Sequence, residues 1–230
     1  MLVPIGNWGG GFIWRVTSGE FPSNTYICET AKNFCLLIDS GLDTDSISIA
    51  LEELKMEPTA IFCTHGHFDH VGSTAFFQKT YGIPVYLHGA DHKLMKSSNF
   101  LLMALELTSR IEQPSKITTV TGGDSFDVAG YNLIFHSTPG HTPGSCIIEL
   151  GRALFTGDTI FTRGVSLSNL PGENPNILKQ SILNFWPMLT AERFIYPGHG
   201  GYASGEEVRR TNLALSQFLE ISYSTNMDDL

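Results

Sequence analysis

Several classes of protein are excluded by what this sequence lacks. Charged residues make up only 16% of its 230 positions, too few for a chain kept disordered by self-repulsion. Its 23 Asp and Glu outnumber its 14 Lys and Arg, for a formal charge of −9, and no Lys/Arg run occurs. A nucleic-acid binder needs a basic face to displace counterions from phosphates, so that class is not expected. No run of 18 apolar residues exists, so no membrane span is expected. The first ten residues, Met1 to Gly10, lack the basic start and long apolar centre of a secretion signal, so a soluble cytoplasmic protein is expected. The four cysteines, Cys28, Cys35, Cys63 and Cys146, form no C-x-x-C pair. Their spacing suggests neither a disulfide framework nor a thiolate zinc site, and they read as small buried hydrophobes.

What is present is enough for one well-cored, loop-rich domain: 42% hydrophobic residues, with 23 Gly and 11 Pro. No linker or low-complexity tract divides the chain. Residues 1–221 are therefore expected to form a single domain, and the polar, acidic stretch 222–230 a flexible tail. Short apolar runs at 11–17, 24–29 and 33–38 predict strands. Asp43 or Asp45 can cap a helix running to about Met56. A brief strand at 60–63 leads into a histidine-rich loop, then a helix over 71–81 and a strand over 83–87. Residues 91–113 read as a buried helix, or alternatively as a lid over substrate, ended in either case by Pro114. Hairpins are expected around Ala129-Gly130 and Leu150-Gly151. Helices at about 177–189 and 206–221 flank a strand at 193–196.

The chemistry concentrates in Thr64-His-Gly-His-Phe-Asp-His70, three imidazoles and a carboxylate on a strand-to-helix loop. This donor set suits zinc, and also iron or manganese. Alternate residues of such a loop can face opposite ways, so His65 and His67 can share one metal while Asp69 and His70 reach a second. Gly66 lets the backbone pass closely between them. Three later candidates each follow an apolar strand and a glycine: His141 in Pro139-Gly-His-Thr-Pro-Gly144, Asp158 in Phe155-Thr-Gly-Asp158, and His199 in Pro197-Gly-His-Gly200. His88, His92 and His136 have ordinary explanations on strand ends and polar stretches. Trp8, Phe12, Trp14, Phe161 and Arg163 are candidates for the mouth of a cleft, with Phe161 and Arg163 as substrate contacts.

In this order the four motifs resemble the metallo-β-lactamase superfamily, and most of all its glyoxalase II-like (hydroxyacylglutathione hydrolase-like) branch, and the resemblance spans about residues 24–215. The resemblance implies an α+β fold, a four-layered αββα sandwich. It implies two divalent metal ions, zinc first, with iron or manganese as alternatives. His65, His67 and His141 would hold one, Asp69, His70 and His199 the other, and Asp158 would bridge them. Asp39, in Leu37-Ile-Asp-Ser-Gly41, would orient a ligand imidazole. A small-molecule thioester, ester or lactone would be hydrolysed by a bridging metal hydroxide, with Asp69 a candidate to guide the proton to the leaving group.

Departures narrow the resemblance. Where the branch commonly carries Gly-x-Gly-Arg-x-Asp, this chain has Leu167 at the Arg and Asn169 at the Asp. One helix and an acidic tail stand where glutathione-binding basic residues are expected, so a glutathione thioester is not favoured. Phe161 stands where lactonases of the superfamily place a tyrosine. His70 argues against an antibiotic-hydrolysing enzyme, and His67 against a flavodiiron protein. Two alternatives stay open: an oxidoreductase resembling the mononuclear iron persulfide dioxygenases, and a non-catalytic metal-binding protein.

Overall fold

The computed structural model describes residues 2–168, 170 and 172–221; the expected tail 222–230 and Asn169 lie outside them. The first half runs β1 (Gly6–Asn7), β2 (Phe12–Ser18), β3 (Ser23–Ala31), β4 (Phe34–Ile38), α1 (Thr44–Leu54), β5 (Glu57–Phe62), α2 (Phe68–Val71), α3 (Thr74–Tyr81), β6 (Val85–His88), α4 (His92–Lys96), α5 (Ser98–Ala104) and β7 (Thr118–Val120). The second runs β8 (Ser125–Val128), β9 (Tyr131–Ser137), β10 (Cys146–Leu150), β11 (Ala153–Gly157), α6 (Pro175–Phe185), β12 (Phe194–Pro197), β13 (Ala203–Ser204), α7 (Gly205–Thr211) and α8 (Leu213–Leu219).

The strands form two mixed sheets, ordered β1-β2-β3-β4-β5-β6-β7 and β13-β12-β11-β10-β9-β8. Strand periodicity explains the layers. In β4, Leu36 and Ile38 enter the core between the sheets with Phe135, Ile148 and Phe155, while Cys35 and Leu37 face Ile47, Leu51 and Phe77 of α1 and α3. On the far side Ile147, Leu154 and Ile195 meet Leu178, Ile182 and Leu215 of α6 and α8. The result is the expected α+β sandwich of four layers, αββα. No helix among the described residues is long and apolar enough to cross a membrane.

Backbone hydrogen bonds also join the two sheets at one end, Asn24 N–H donating to Gly198 O at 2.7 Å and Cys146 N–H to Thr64 O at 2.8 Å. All four cysteines are buried and free, and burial pushes the Cys35 and Cys146 thiols up to about 12.

Several boundaries differ from the sequence reading. The helix expected over 71–81 is two, separated at Gly72-Ser73. The helix expected at 177–189 starts earlier, because the Asn174 side chain accepts from the Asn176 and Ile177 amides and Pro175 takes the first turn. It ends at Phe185, where Trp186-Pro-Met188 tightens into a 3₁₀ turn. The helix expected over 206–221 breaks at Asn212, whose backbone is non-helical and whose side chain accepts from Leu215 N–H to start α8.

Residues 91–113 form neither a single buried helix nor a helical lid. Helix α5 stops at Ala104, ten residues before Pro114. Glu106 adopts φ 59, Glu106 N–H donates to Met103 O, and Leu107 N–H donates to Leu102 O, a left-handed helix stop. Asn99 then pairs with both backbone groups of Ile111 at 2.8 Å, folding the following segment back onto α5. Trp8 and Trp14 do not border a cleft: they are buried on the two faces of the first sheet. Phe12, half exposed, sits edge-on to Trp14.

Candidate metal centre

The candidate ligands leave the sandwich at one end. Asp39 follows β4, the histidine-rich loop follows β5, His141 lies between β9 and β10, Asp158 follows β11 and His199 follows β12. Close packing there demands glycine. A Cβ on Gly66 would meet the Asp91 carbonyl oxygen at 2.8 Å, and one on Gly198 would overlap the Asp158 carboxylate.

The seven predicted ligands come together. His67 Nδ1 lies 3.1 Å from His65 Nε2 and 2.9 Å from His141 Nε2. Asp69 Oδ2 lies 3.3 Å from His70 Nε2 and 3.2 Å from His199 Nε2. Asp158 stands between the two groups. Its Oδ2 is 3.6 Å from His141 Nε2 and 3.4 Å from His199 Nε2, and its Oδ1 is 3.4 Å from His70 Nε2. Among the described residues, the triads His65–His67–His141, His65–His70–Asp158 and Asp69–His70–His199 each bring donor atoms within 4.8 Å of one another.

Neighbouring groups orient the rings. Asp39 accepts from the Thr64 amide at 2.7 Å and the Thr64 hydroxyl at 2.8 Å, and pairs with His70 Nδ1 at 2.8 Å. Because the Thr64 hydroxyl donates to Asp39, its oxygen is free to accept from His65 Nδ1 at 3.1 Å, leaving the His65 Nε2 lone pair facing the site. His199 Nδ1 donates to Pro22 O at 2.8 Å, and His141 Nδ1 meets Ser166 Oγ at 3.2 Å.

These donors fit a bound cation. His70 Nε2 and Asp158 Oδ1 are buried, have no hydrogen-bond partner and face each other. Such orphaned atoms are costly unless something else satisfies them. Burial drives His65 far below its ordinary pKa, drives His67 to about 4 and lowers His141, so all three are neutral imidazoles able to ligate. Burial would also lower His70 and His199. There the Asp69 and Asp158 carboxylates outweigh it, raising His70 well above its ordinary value and His199 to about 10. Burial would raise the two carboxyls, but the imidazoles, His70 foremost, hold both below the usual range. The carboxylate-rich half therefore favours positive charge, which protons supply on the bare chain and cations can supply in their place.

A cavity of about 360 Å³ opens over the centre, lined by His67, Asp69, His141, Asp158, His199 and Phe161 among others. Arg163 is not in its wall. It lies in a neighbouring cavity of about 890 Å³ that, among the described residues, shares only Phe161 and His199 with the first. His88, His92 and His136 line neither; His136 pairs with Glu149 at 2.7 Å.

The sequence reading missed Asp91. This fully buried side chain accepts from Gly66 N–H at 2.8 Å, Thr142 Oγ1 at 2.6 Å and Gly144 N–H at 2.7 Å. It thereby clamps the loop of His65 and His67 to the loop of His141. Nothing local in Leu87-His-Gly-Ala-Asp91 signals that role, because both partner loops are distant in sequence.

Comparison with known proteins agrees with this geometry. The family model of the Metallo-beta-lactamase superfamily matches residues 18–199. A "Probable metallo-hydrolase" of Methanocaldococcus jannaschii is 31% identical over 195 residues, covering 82% of this chain and 92% of its own. A "Probable polyketide biosynthesis zinc-dependent hydrolase" of Bacillus velezensis is 29% identical over 173 residues, 75% of this chain and 70% of its own. The crystal structure of TTHA1623 in a di-iron-bound form superposes with a TM-score of 0.76 at 31% identity, covering 86% of this chain and 98% of that one.

Proposed function

The chain belongs to the Metallo-beta-lactamase superfamily, and from that premise we propose that it is a metal-dependent hydrolase of the glyoxalase II-like kind, cleaving a small-molecule thioester, ester or lactone at a two-metal centre. The observation that carries this reading is the position of Asp158, between the His65–His67–His141 group and the Asp69–His70–His199 group. His65, His67 and His141 would hold one ion, Asp69, His70 and His199 the other, and Asp158 both. Five imidazoles and two carboxylates suit zinc first, with iron or manganese as fits of the same donor set.

Two such ions, when bound, supply water ionised near pH about 7 and a Lewis acid for the carbonyl oxygen. The chain's own residues do the rest. Asp39, Thr64, Ser166 and the Pro22 carbonyl fix the ring orientations, a contribution that typically changes metal affinity or activity by about 10–100-fold. Phe161 and the neighbouring apolar wall exclude bulk water from the reacting carbonyl, which strengthens electrostatic interactions there. Asp69 reaches the cavity and can carry the proton to the leaving group.

The test is elemental analysis of protein purified without added metal, followed by a panel of thioesters, esters and lactones. About two zinc ions per chain with turnover of the panel support the reading. Asp158→Ala should then lose metal and lower turnover by orders of magnitude. A single iron per chain, with oxygen uptake on a persulfide and no hydrolysis, would overturn it.

A further inference from the structure

Ligation does not account for the wall of the cavity over the centre. Phe21, Phe68, Phe161, Val165, Leu167 and Leu170 line it. Leu167 is 45% exposed and Phe21 39%. Large apolar side chains left half open to water and gathered at one concave site mark a ligand surface. The wall is braced. Phe21 stands edge-on to Phe68 with centroids 5.3 Å apart, and Phe161 edge-on to His199 at 6.0 Å. The Glu173 carboxylate accepts from the Ser168 amide and hydroxyl at 2.7 and 2.6 Å, closing the loop that presents Leu167. No Lys or Arg lines the cavity, since Arg163 lies in the neighbouring one. None of the residues outside the description is Lys or Arg either. A substrate with an anionic acyl end would meet no lysine or arginine here.

We propose that this cavity receives an uncharged, apolar acyl group, which makes the substrate class a medium-chain acyl thioester or ester; this rests on the hydrolase reading above. The volume of about 360 Å³ holds roughly a dozen water-sized groups, enough for an acyl chain of about six to ten carbons beside the reacting centre. Water adds its oxygen to the acyl carbon and the C–S or C–O bond breaks. The products are a carboxylate, a thiol or alcohol, and a released proton, with nothing oxidised or reduced. Each methylene moved from water onto the wall is worth about fourfold in kcat/KM at most.

The experiment uses the metal-loaded protein and a thioester and ester series from acetyl to decanoyl, with glutaryl as the anionic comparator. Binding of octanoate and glutarate is followed by calorimetry. The expected result is a rise of about two- to fourfold in kcat/KM per methylene up to hexanoyl or octanoyl, then a plateau. Glutaryl substrates should be poorer than hexanoyl, and octanoate should bind more tightly than glutarate. Leu167→Asp should cut the octanoyl-to-acetyl ratio by about tenfold or more, while Leu167→Met keeps it; thermal melting confirms that both variants fold. Hydrolysis with a flat or falling series, or with glutaryl preferred, overturns the acyl assignment and leaves the hydrolase reading standing. No hydrolysis, with octanoate binding that Leu167→Asp abolishes, overturns the hydrolase reading and keeps the acyl site. Neither hydrolysis nor octanoate binding overturns both.

Discussion

Replacing Asp91 by alanine should loosen the metal centre from a distance, and the structure sets the size of the effect. The substitution leaves two buried amides, those of Gly66 and Gly144, without an acceptor. The Thr142 hydroxyl loses Asp91 as well, but can turn to Ser145 Oγ at 2.8 Å. A buried donor left unpaired costs about 1–3 kcal/mol, so the two amides give about 2–6 kcal/mol, centred near 4. Relief from burying a charged carboxylate offsets part of this. Total stabilities of about 5–15 kcal/mol make that a large fraction. At about 2–4 °C per kcal/mol for a chain of this size, Tm should fall by at most about 8–16 °C. Asp91→Asn keeps one acceptor oxygen but turns an NH₂ toward a donor, so its loss should be smaller and of the same sign. Urea unfolding of the chelated proteins isolates the clamp from any ion, and elemental analysis of untreated protein reads the consequence for His65, His67 and His141. If chelated Asp91→Ala unfolded within about 0.5 kcal/mol of the parent and held as much metal, the clamp would be a misreading.

Three further outcomes are expected. Asp39→Ala should weaken binding of an ion at His70 by about 10–100-fold in a chelator competition, since Asp39 is the hydrogen-bond partner of His70 Nδ1; unchanged affinity would show that Asp39 does not act through that ring. Gly198→Ala, whose methyl would intrude on Asp158 and His70, should lower metal stoichiometry, and full occupancy would refute the crowding argument. Glu20 accepts from the Thr108 and Ser109 amides, whose hydrogen bonds hold its carboxyl at about 2. Because the folded value is depressed, its hold on this segment is fully present above the ordinary carboxyl range and is lost as pH falls through about 2. Amide resonances of Thr108 and Ser109 should therefore titrate near pH 2, and a midpoint at an ordinary glutamate value would contradict it.

The strand–loop–helix motif and the three glycine-flanked candidate ligands stand out in the sequence because each strand end is announced by an apolar run and a turn residue, and because imidazoles and carboxylates so dense have few other uses. The hairpin at Ala129-Gly130 was legible for a similar local reason: both residues adopt positive φ, 52° and 83°, as a tight hairpin turn requires. Strands β1, β7 and β13, of two or three residues, exist only through pairing with neighbours and carry no periodicity of their own. Asp91 and Ser166 act on partners far along the chain, so no spacing exposes them. Arg163 and Phe161 line the larger hollow together, but of the two Phe161 alone also reaches the cavity over the candidate ligands, a difference that no sequence spacing exposes. Leu167 stood out in sequence only as a missing arginine; its place in the apolar wall needed the fold.

The two amide-to-carbonyl bonds from Asn24 to Gly198 and from Cys146 to Thr64 lace the sheets together beside the candidate ligands His199 and His65. Sliding one sheet over the other would therefore have to break main-chain pairing as well as separate side chains, so the spacing of the strand ends that carry the candidate ligands is set by the backbone. The two sheets are stitched like a seam rather than merely stacked, and the candidate ligands sit beside the stitches.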